Sequence, residues 1–228
     1  MNLPDDVRAI LLDIEGTTTP IAFVHDVLFS YAREHVAEFL KANSAADDVA
    51  LLRQEHAVDV KEGRNPPPLT TEYVHWLIAL DRKSTGLKSL QGKIWRQGYE
   101  EGSLQSQVFA DVAPAFQRWR ERGLRISIFS SGSVLAQQLV FAHTEAGDLT
   151  RFIDSYFDTN VGKKGEAESY RKIAETMELE PEQILFISDV VTELEASNEA
   201  GMRTIMSIRP GNEPQPQYPA IRSFDEIR

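Results

Sequence analysis

The stretch from Ala9 to Pro20, A-I-L-L-D-I-E-G-T-T-T-P, decides the predicted fold of this chain. Its four apolar residues, Ala9 to Leu12, run without alternation, as is typical of a strand buried on both faces of a parallel sheet. Asp13 then lies at the carboxyl end of that strand, where open α/β sheets place their binding residues. Glu15 follows two residues later, so two carboxylates lie in one turn. The pattern D-x-E-G alone is equally compatible with an ordinary turn that ends a strand.

The second half of the chain alternates between apolar runs and helical periodicity. Strands are predicted over residues 124–129, 152–157, 184–187 and 203–208, and helices over 112–121, 133–143, 167–177 and 194–200, with a short strand or helix at 221–227. Alternation of this kind predicts a parallel sheet with right-handed crossovers. We therefore expect an α/β fold with a doubly wound parallel sheet.

About 90 residues separate the first two strands, and they show helical patterns only. Helices are predicted over residues 21–42, 48–61, 72–82 and 87–99, with a polar break at 43–48 and a proline-rich loop at 63–68. We expect residues 1–20 and 105–228 to form the α/β core domain. Residues 21–104 are expected to form a helical cap domain, inserted after the first strand and placed over Asp13.

Composition excludes several functional classes. The 228 residues have a net charge of −11, which argues against a nucleic-acid partner because phosphate backbones require clustered Lys and Arg. The absence of cysteine excludes disulfides, thiolate metal sites and a cysteine nucleophile. No apolar run approaches the roughly 20 residues of a membrane span. We expect a cytoplasmic protein, without a membrane partner.

Polar residues follow the predicted strands at four places. They are Asp13 with Glu15, Ser130 with Ser131, Lys164 in G-K-K-G, and Asp189 with Glu193. Each has an ordinary structural alternative, since Ser133 suits a helix N-cap, paired lysines are usually solvated, and Thr192 with Glu195 suits a capping box. Because parallel strands end at the same edge of a sheet, we expect the four groups to lie together.

Together the four groups predict a site for phosphoryl transfer. Asp13 can act as nucleophile, Ser130 can bind phosphate oxygens, and a lysine can neutralise charge. Asp13 and Asp189 can hold Mg²⁺, which prefers carboxylate oxygens and water. Glu15 is placed to protonate the leaving group and then to activate water.

The order of these groups resembles that of the haloacid dehalogenase-like hydrolases, with Glu15 where the family usually has aspartate. Further motifs make the chain similar to the acireductone synthases, the enolase-phosphatase family of methionine salvage. The motifs are D-I-E-G-T-T-T-P (Asp13–Pro20), F-S-S-G-S-V-x-A-Q (Phe129–Gln137), F-x-H (Phe141–His143), F-D-T-x-V-G-x-K (Phe157–Lys164), S-Y-R-K-I-A (Ser169–Ala174) and R-P-G-N (Arg209–Asn212).

The resemblance implies enolisation and then dephosphorylation of 2,3-diketo-5-methylthiopentyl-1-phosphate. We expect a monomer with one Mg²⁺ per subunit. It implies that Asp13, Glu15 and Asp189 bind Mg²⁺, and that Ser130, Ser131 and Lys164 contact the phosphorylated diketone. In related phosphatases the residue at position 15 binds metal through its main-chain carbonyl, so the role of the Glu15 side chain is open. Glu15 is the candidate base for enolisation, although Asp13 could perform it and not be a covalent nucleophile.

Other functions remain as alternatives. A small-molecule phosphatase or a phosphomutase of the same fold would share the four core groups. A dehalogenase is disfavoured, because it needs neither Glu15 nor the metal carboxylates. A non-catalytic binding protein is also disfavoured, because Asp13, Lys164 and Asp189 are all intact.

Overall fold

A computed structural model describes residues 1–43, 47–80, 82, 84–210, 212–215 and 217–228. The chain divides into two compact units. The first comprises Met1–Ile21 and Ser106–Arg228, and the second comprises Ala22–Gln105. Among the described residues, no helix combines the length and apolar character needed to cross a membrane.

A six-stranded parallel sheet forms the centre of the first unit. Its strands are β1 (Ala9–Leu12), β2 (Arg125–Phe129), β3 (Ser155–Phe157), β4 (Ile184–Ser188), β5 (Arg203–Ser207) and β6 (Ala220–Ile221), in the spatial order β3-β2-β1-β4-β5-β6. The strand order reverses between β1 and β4, which is the position where doubly wound sheets bind their ligands. The predicted doubly wound α/β fold is confirmed.

The described helices are α1 (Phe29–Ala42), α2 (Asp47–Lys61), α3 (Thr71–Ala79), α4 (Thr85–Glu100), α5 (Val112–Glu121), α6 (Val134–Ala142), α7 (Ala167–Thr176) and α8 (Val191–Glu199). The first four belong to the second unit, and the others pack on the sheet of the first unit. This distribution agrees with the predicted helical segment between the first two strands.

The apolar run of β1 is buried on both faces, as predicted. Ile10 and Leu12 pack into one core with Trp119 of α5. Ala9 and Leu11 pack into the core on the opposite face, with Tyr170 of α7. Because both faces of β1 are covered, an alternating polar pattern would bury unpaired polar groups, which explains the continuous apolar run.

The second unit is helical and contains buried carboxylates with specific partners. Asp59 of α2 accepts hydrogen bonds from Tyr73 at 2.8 Å, Arg64 at 2.6 Å and Arg82 at 2.9 Å. Burial alone would raise the pKa of Asp59, but these hydrogen bonds outweigh burial and lower it. Hydrogen bonds and ion pairs of buried carboxylates therefore stabilise the interior of this unit, in addition to apolar contacts.

Several predicted boundaries were wrong. The strand expected over 152–157 is only Ser155–Phe157, because residues 150–152 form a 3₁₀ turn. The helix expected from residue 194 begins at Val191, without a side-chain cap, so the predicted Thr192–Glu195 capping box is wrong. The helix expected from residue 21 starts with a π-helical turn over residues 23–28. Parts of the predicted 43–48 break, the 72–82 helix and the R-P-G-N motif, at residues 44–46, 81 and 211, lie outside the described residues.

Candidate active site

The register of the sheet places three predicted site residues at one edge. Asp13, Ser130 and Asp189 are the first residues after β1, β2 and β4, and β1 pairs directly with both other strands. The Asp13 amide continues the ladder by donating to the Ile187 carbonyl at 3.1 Å. The three side chains therefore start from neighbouring strand ends, at the point where the strand order reverses.

The turn after β1 is closed by main-chain hydrogen bonds, most of them to one carbonyl. The Ile14 carbonyl accepts from the amides of Thr17 at 3.2 Å, Thr18 at 2.9 Å and Thr19 at 2.9 Å. The Gly16 amide donates to the Thr19 carbonyl at 2.8 Å. All three threonines are fully buried. They consequently build the turn that presents Asp13 and Glu15, and the side chain of Glu15 is partly exposed.

Lys164 and Asp13 form a buried ion pair through Lys164 Nζ and Asp13 Oδ1. Lys164 Nζ also contacts Glu193 Oε2 at 2.7 Å. Only 8% of Lys164 is exposed, so the G-K-K-G pair is not simply solvated: Lys163 is the exposed member and Lys164 the buried one. Burial alone would lower the pKa of the Lys164 ammonium, but Asp13 and Glu193 outweigh burial and raise it.

Glu193 is the second buried carboxylate on Lys164, and its Oε2 also accepts from Ser188 Oγ at 2.9 Å. Burial and the charge of Asp13 raise the pKa of Glu193 to about 7, although Lys164 opposes this rise. Lys164 is therefore held between Asp13, at the end of β1, and Glu193, in the first turn of α8.

The loop that contains Lys164 is attached to α7. The Tyr170 hydroxyl donates to the Lys164 carbonyl at 2.7 Å, and the Ser169 hydroxyl donates to the Lys163 carbonyl at 2.7 Å. The Tyr170 ring packs against Phe129 and Phe186 in the core. The position of Lys164 is thus fixed by the main chain as well as by its ammonium group.

Asp189 satisfies the main requirements of a magnesium ligand. Its Oδ1 atom is buried and has no hydrogen-bond partner. Burial and the negative charge of Asp13 raise the pKa of Asp189 to about 7. A buried, unpaired carboxylate oxygen near a second carboxylate is costly unless a cation is present. The donor set of Asp13 and Asp189 therefore fits Mg²⁺, which commonly binds one or two carboxylates and completes its shell with water and substrate phosphate.

Within the parts of the chain that the structure describes, no three side chains of His, Asp and Glu form a ready-made metal cluster. Of the carboxylates at this edge, those of Asp13 and Asp189 lie at the ends of the neighbouring strands β1 and β4. This arrangement is compatible with the main-chain alternative for position 15.

Ser130 and Ser131 lie in the turn between β2 and α6. Ser130 is buried, its amide donates to the Phe157 carbonyl at 3.1 Å, and its Oγ accepts from the Gly132 amide at 3.2 Å. Ser131 is partly exposed. The predicted N-cap role of Ser133 is confirmed, since its Oγ accepts from the Ala136 amide at 3.3 Å.

Three further residues hold this site together, and of these the sequence placed only Glu193 among the groups expected at this edge of the sheet. Glu193 and Tyr170 both bond Lys164, and the buried Gln137 donates to the carbonyls of Gly132 at 2.9 Å and Phe157 at 2.8 Å. The spacing of Glu193, four residues after Asp189, was a usable signal. Nothing in the sequence identified the partners of Tyr170 and Gln137, because those partners are main-chain oxygens.

Comparisons with known proteins find relatives by sequence and by structure. Residues 7–201 match the haloacid dehalogenase-like hydrolase family. The chain is 52% identical to the Enolase-phosphatase E1 of Synechococcus elongatus over all of both chains, and 47% identical to that of Sorangium cellulosum over 96% of this chain and 97% of the relative. Its fold is similar to the crystal structure of the UTR4 protein of Saccharomyces cerevisiae, with a TM-score of 0.79 and 36% identity over 96% of this chain and 99% of the other.

The similarity extends over the whole chain, including the segment between β1 and β2. The chain therefore belongs to the haloacid dehalogenase-like hydrolase family and, within it, to the enolase-phosphatases.

Proposed function

We propose that the chain converts 2,3-diketo-5-methylthiopentyl-1-phosphate to the acireductone 1,2-dihydroxy-3-keto-5-methylthiopentene and phosphate, in L-methionine salvage. The full-length similarity to enolase-phosphatases supports this function. The single structural observation that supports it most is the buried ion pair of Lys164 and Asp13, at the carboxyl end of the central strand. A buried carboxylate with a fixed cation beside it is suited to charge development on a phosphoryl group.

For dephosphorylation, we propose Asp13 as the nucleophile. A carboxylate oxygen of Asp13 attacks phosphorus, and the bond from phosphorus to the ester oxygen breaks. The protonated Glu15 donates its proton to that oxygen. Water then attacks the aspartyl phosphate, Glu15 takes a proton from the water, and phosphate leaves with Asp13 regenerated. Lys164 neutralises negative charge on the attacking carboxylate and on the phosphoryl oxygens. Ser130 and Ser131 bind the phosphoryl oxygens.

For enolisation, we propose Glu15 as the base. Its carboxylate removes a proton from the carbon that bears the phosphate, and the neighbouring carbonyl oxygen takes a proton from water to give the enol, so Glu15 is left protonated for dephosphorylation. The partly exposed position of Glu15 supports this role, because the group stands in the same turn as Asp13 without being buried in the core. If Asp13 were instead the enolisation base, no phosphate would become attached to it, and trapping an acyl phosphate on Asp13 decides between the two.

We propose one Mg²⁺ per chain, held by the carboxylates of Asp13 and Asp189 and by the main-chain carbonyl or side chain of Glu15. When bound, the cation supplies positive charge for the phosphoryl group and a Lewis acid for a substrate carbonyl. We further propose that the second unit is the cap, and that the protein is a cytoplasmic monomer without a nucleic-acid or membrane partner. The net charge of −11 supports the exclusion of nucleic acid.

The test follows the diketo phosphate by ultraviolet absorbance and by free phosphate, with and without Mg²⁺. A metal-dependent enol absorbance that precedes or accompanies phosphate release supports the proposal. Release of phosphate from unrelated esters without reaction of the diketone would replace it with an ordinary phosphatase. Return of the phosphoryl group to the substrate would replace it with a phosphomutase.

A further inference from the structure

The side chain of Arg209, just after β5, reaches the turn that follows β1. Arg209 Nε donates to the Thr17 carbonyl at 3.1 Å, across 192 positions of sequence. Only 5% of Arg209 is exposed. We infer that Arg209 is a positioning residue, which fixes the turn that presents Asp13 and Glu15. The expected effect on catalysis rests on the proposed function, whereas the contact between Arg209 and the turn does not.

Arg209 is itself held rigidly by several contacts. Its Nη1 atom donates to both carboxylate oxygens of Asp111, at 3.1 and 2.9 Å, and to the Arg222 carbonyl at 3.0 Å. The guanidinium lies over the rings of Phe109 and Phe224, with its Cζ 4.4 and 4.7 Å from the ring centroids. Its orientation toward the turn is therefore determined from several sides.

Two neighbours of Arg209 bind the adjacent carbonyl of the same turn. Ser207 Oγ donates to the Gly16 carbonyl at 3.4 Å, and Asn212 Nδ2 donates to it at 3.2 Å. We call Ser207, Arg209 and Asn212 the clamp. The amides of this turn are satisfied within it, by the carbonyls of Ile14 and Thr19. Its carbonyls at Gly16 and Thr17 instead accept from the clamp.

The turn needs such support because two of its residues face the site. Asp13 lies four residues before Thr17, and Gly16 is packed against Asp189. A displacement of about 1 Å in a reacting group can lower the rate about 100-fold. Loss of the clamp is thus expected to misplace Asp13 and Glu15 without removing any reacting group.

Arginine suits this position better than lysine would. A guanidinium presents several donors in a rigid plane and stacks on aromatic rings, so it can bind Thr17, Asp111 and Arg222 at the same time. An ammonium is a compact charge that cannot reach all three in fixed directions. We expect Arg209→Lys to restore only part of the activity that Arg209→Met loses.

The experiment compares Arg209→Met, Arg209→Lys and a matched control, Arg118→Met. Arg118 also donates to a main-chain carbonyl, that of Phe224 at 3.1 Å, and pairs with an aspartate, Asp225, at 3.0 Å, but it does not bind the turn. Each variant is assayed about 20 °C below its own melting temperature. The readouts are hydrogen exchange of residues 13–20, Mg²⁺ affinity by calorimetry, and kcat and KM on the diketo phosphate.

In Arg209→Met, we expect the amide hydrogens of residues 13–20 to exchange at least about tenfold faster than in the wild type, and Mg²⁺ to bind more weakly. The kcat should fall about 100-fold, while KM should change less than about threefold. Arg118→Met should keep wild-type values. Unchanged exchange of residues 13–20 in folded Arg209→Met, or an equal effect in Arg118→Met, would overturn the inference. An active Asp13→Asn variant would instead overturn the proposed function. Hydrogen exchange of residues 13–20 would still test the role of Arg209 in that case.

Discussion

The carboxylate of Asp189 lies directly against the main chain of Gly16. A Cβ atom placed on Gly16 would come within 2.7 Å of Asp189 Cγ, and Gly16 has a φ of +71°. The turn after β1 can therefore approach Asp189 only because position 16 has no side chain. Glycine also adopts a positive φ without the cost of about 1–2 kcal/mol that other residues incur.

We expect Gly16→Ala to bind Mg²⁺ at least about tenfold more weakly, since the new methyl group must displace Asp189 or the turn. Calorimetry without substrate measures this affinity. Gly123→Ala is the matched control, because Gly123 also has a positive φ, +75°, but nothing lies within 4 Å of the position of its Cβ. Equal Mg²⁺ affinity in the two variants would show that the contact with Asp189 is unimportant.

Replacing Lys164 should affect both activity and stability. Lys164→Met leaves Asp13 and Glu193 buried without their cation, which we expect to cost about 3–5 kcal/mol in the free energy of unfolding. Activity should fall about 1,000-fold, because a preorganised charge is lost. The matched control is Lys163→Met, since the side chain of Lys163 is 83% exposed and pairs only with Glu166 among the contacts described.

The double variant Lys164→Met with Glu193→Gln separates the two effects. Removing the charge of Glu193 should recover part of the lost stability, because one uncompensated carboxylate disappears, while activity stays low. Denaturant unfolding and phosphate release measure the two quantities. Recovery of activity together with stability would mean that Lys164 is only a structural residue.

The carboxyl group of Asp189 should destabilise the metal-free protein above neutral pH. Burial and Asp13 raise its pKa from 3.8 to about 7, so the folded state binds its proton more tightly than the unfolded chain does. This contribution is fully favourable below about pH 4 and is lost as pH rises through about 7. Asp189→Asn should thus raise the free energy of unfolding of the metal-free protein by about 1–2 kcal/mol at pH 8, since partial exposure to water weakens the effect.

Thermal unfolding at pH 4 and pH 8 measures this difference, which should be small at the lower pH. Mg²⁺ should raise the melting temperature of the wild type and leave that of Asp189→Asn unchanged. Glu195→Gln, on the exposed side of α8, is the control and should behave as wild type. A lower melting temperature for metal-free Asp189→Asn at pH 8 would contradict the prediction.

In the helical unit, Asp59 should be a key determinant of stability. Asp59→Asn removes the negative charge that pairs with both Arg64 and Arg82. We expect it to lower the melting temperature of this unit and to reduce its free energy of unfolding by about 3 kcal/mol. Tyr73→Phe is the milder matched change, because it removes only one hydrogen bond to Asp59 and should cost about 1 kcal/mol. Calorimetry measures both, and equal losses would show that the charge of Asp59 has no special importance.

Periodicity in the sequence was sufficient to predict the sheet, most helices and the position of the helical segment. The apolar run of β1 and the polar residues after β1, β2 and β4 also predicted that Asp13, Ser130 and Asp189 share one edge of the sheet. The length of β3 was overestimated, because the apolar residues Phe152, in a 3₁₀ turn, and Ile153, just after it, pack on the core without belonging to a strand.

The supporting contacts of the site could not be predicted, because most of them end on main-chain oxygens. Arg209 and Tyr170 bind the carbonyls of Thr17 and Lys164, and a carbonyl has no sequence signature. The Thr192–Glu195 pattern failed for a related reason, since the helix begins at Val191 and the amides of Glu193 and Leu194 already donate to the Val190 carbonyl. Local patterns do not reveal which donors tertiary structure has already satisfied.

The sheet order has a consequence for how the protein acquires activity during synthesis. β1 lies between β2 and β4, yet the whole second unit separates β1 from β2 along the chain, and β4 is made later still. Pairings between such distant segments form slowly, because a long loop must close before any contact compensates its entropy. A nascent chain that ends before β4 has neither Asp189 nor Glu193, so we expect activity to appear only after nearly all of the polypeptide has been synthesised.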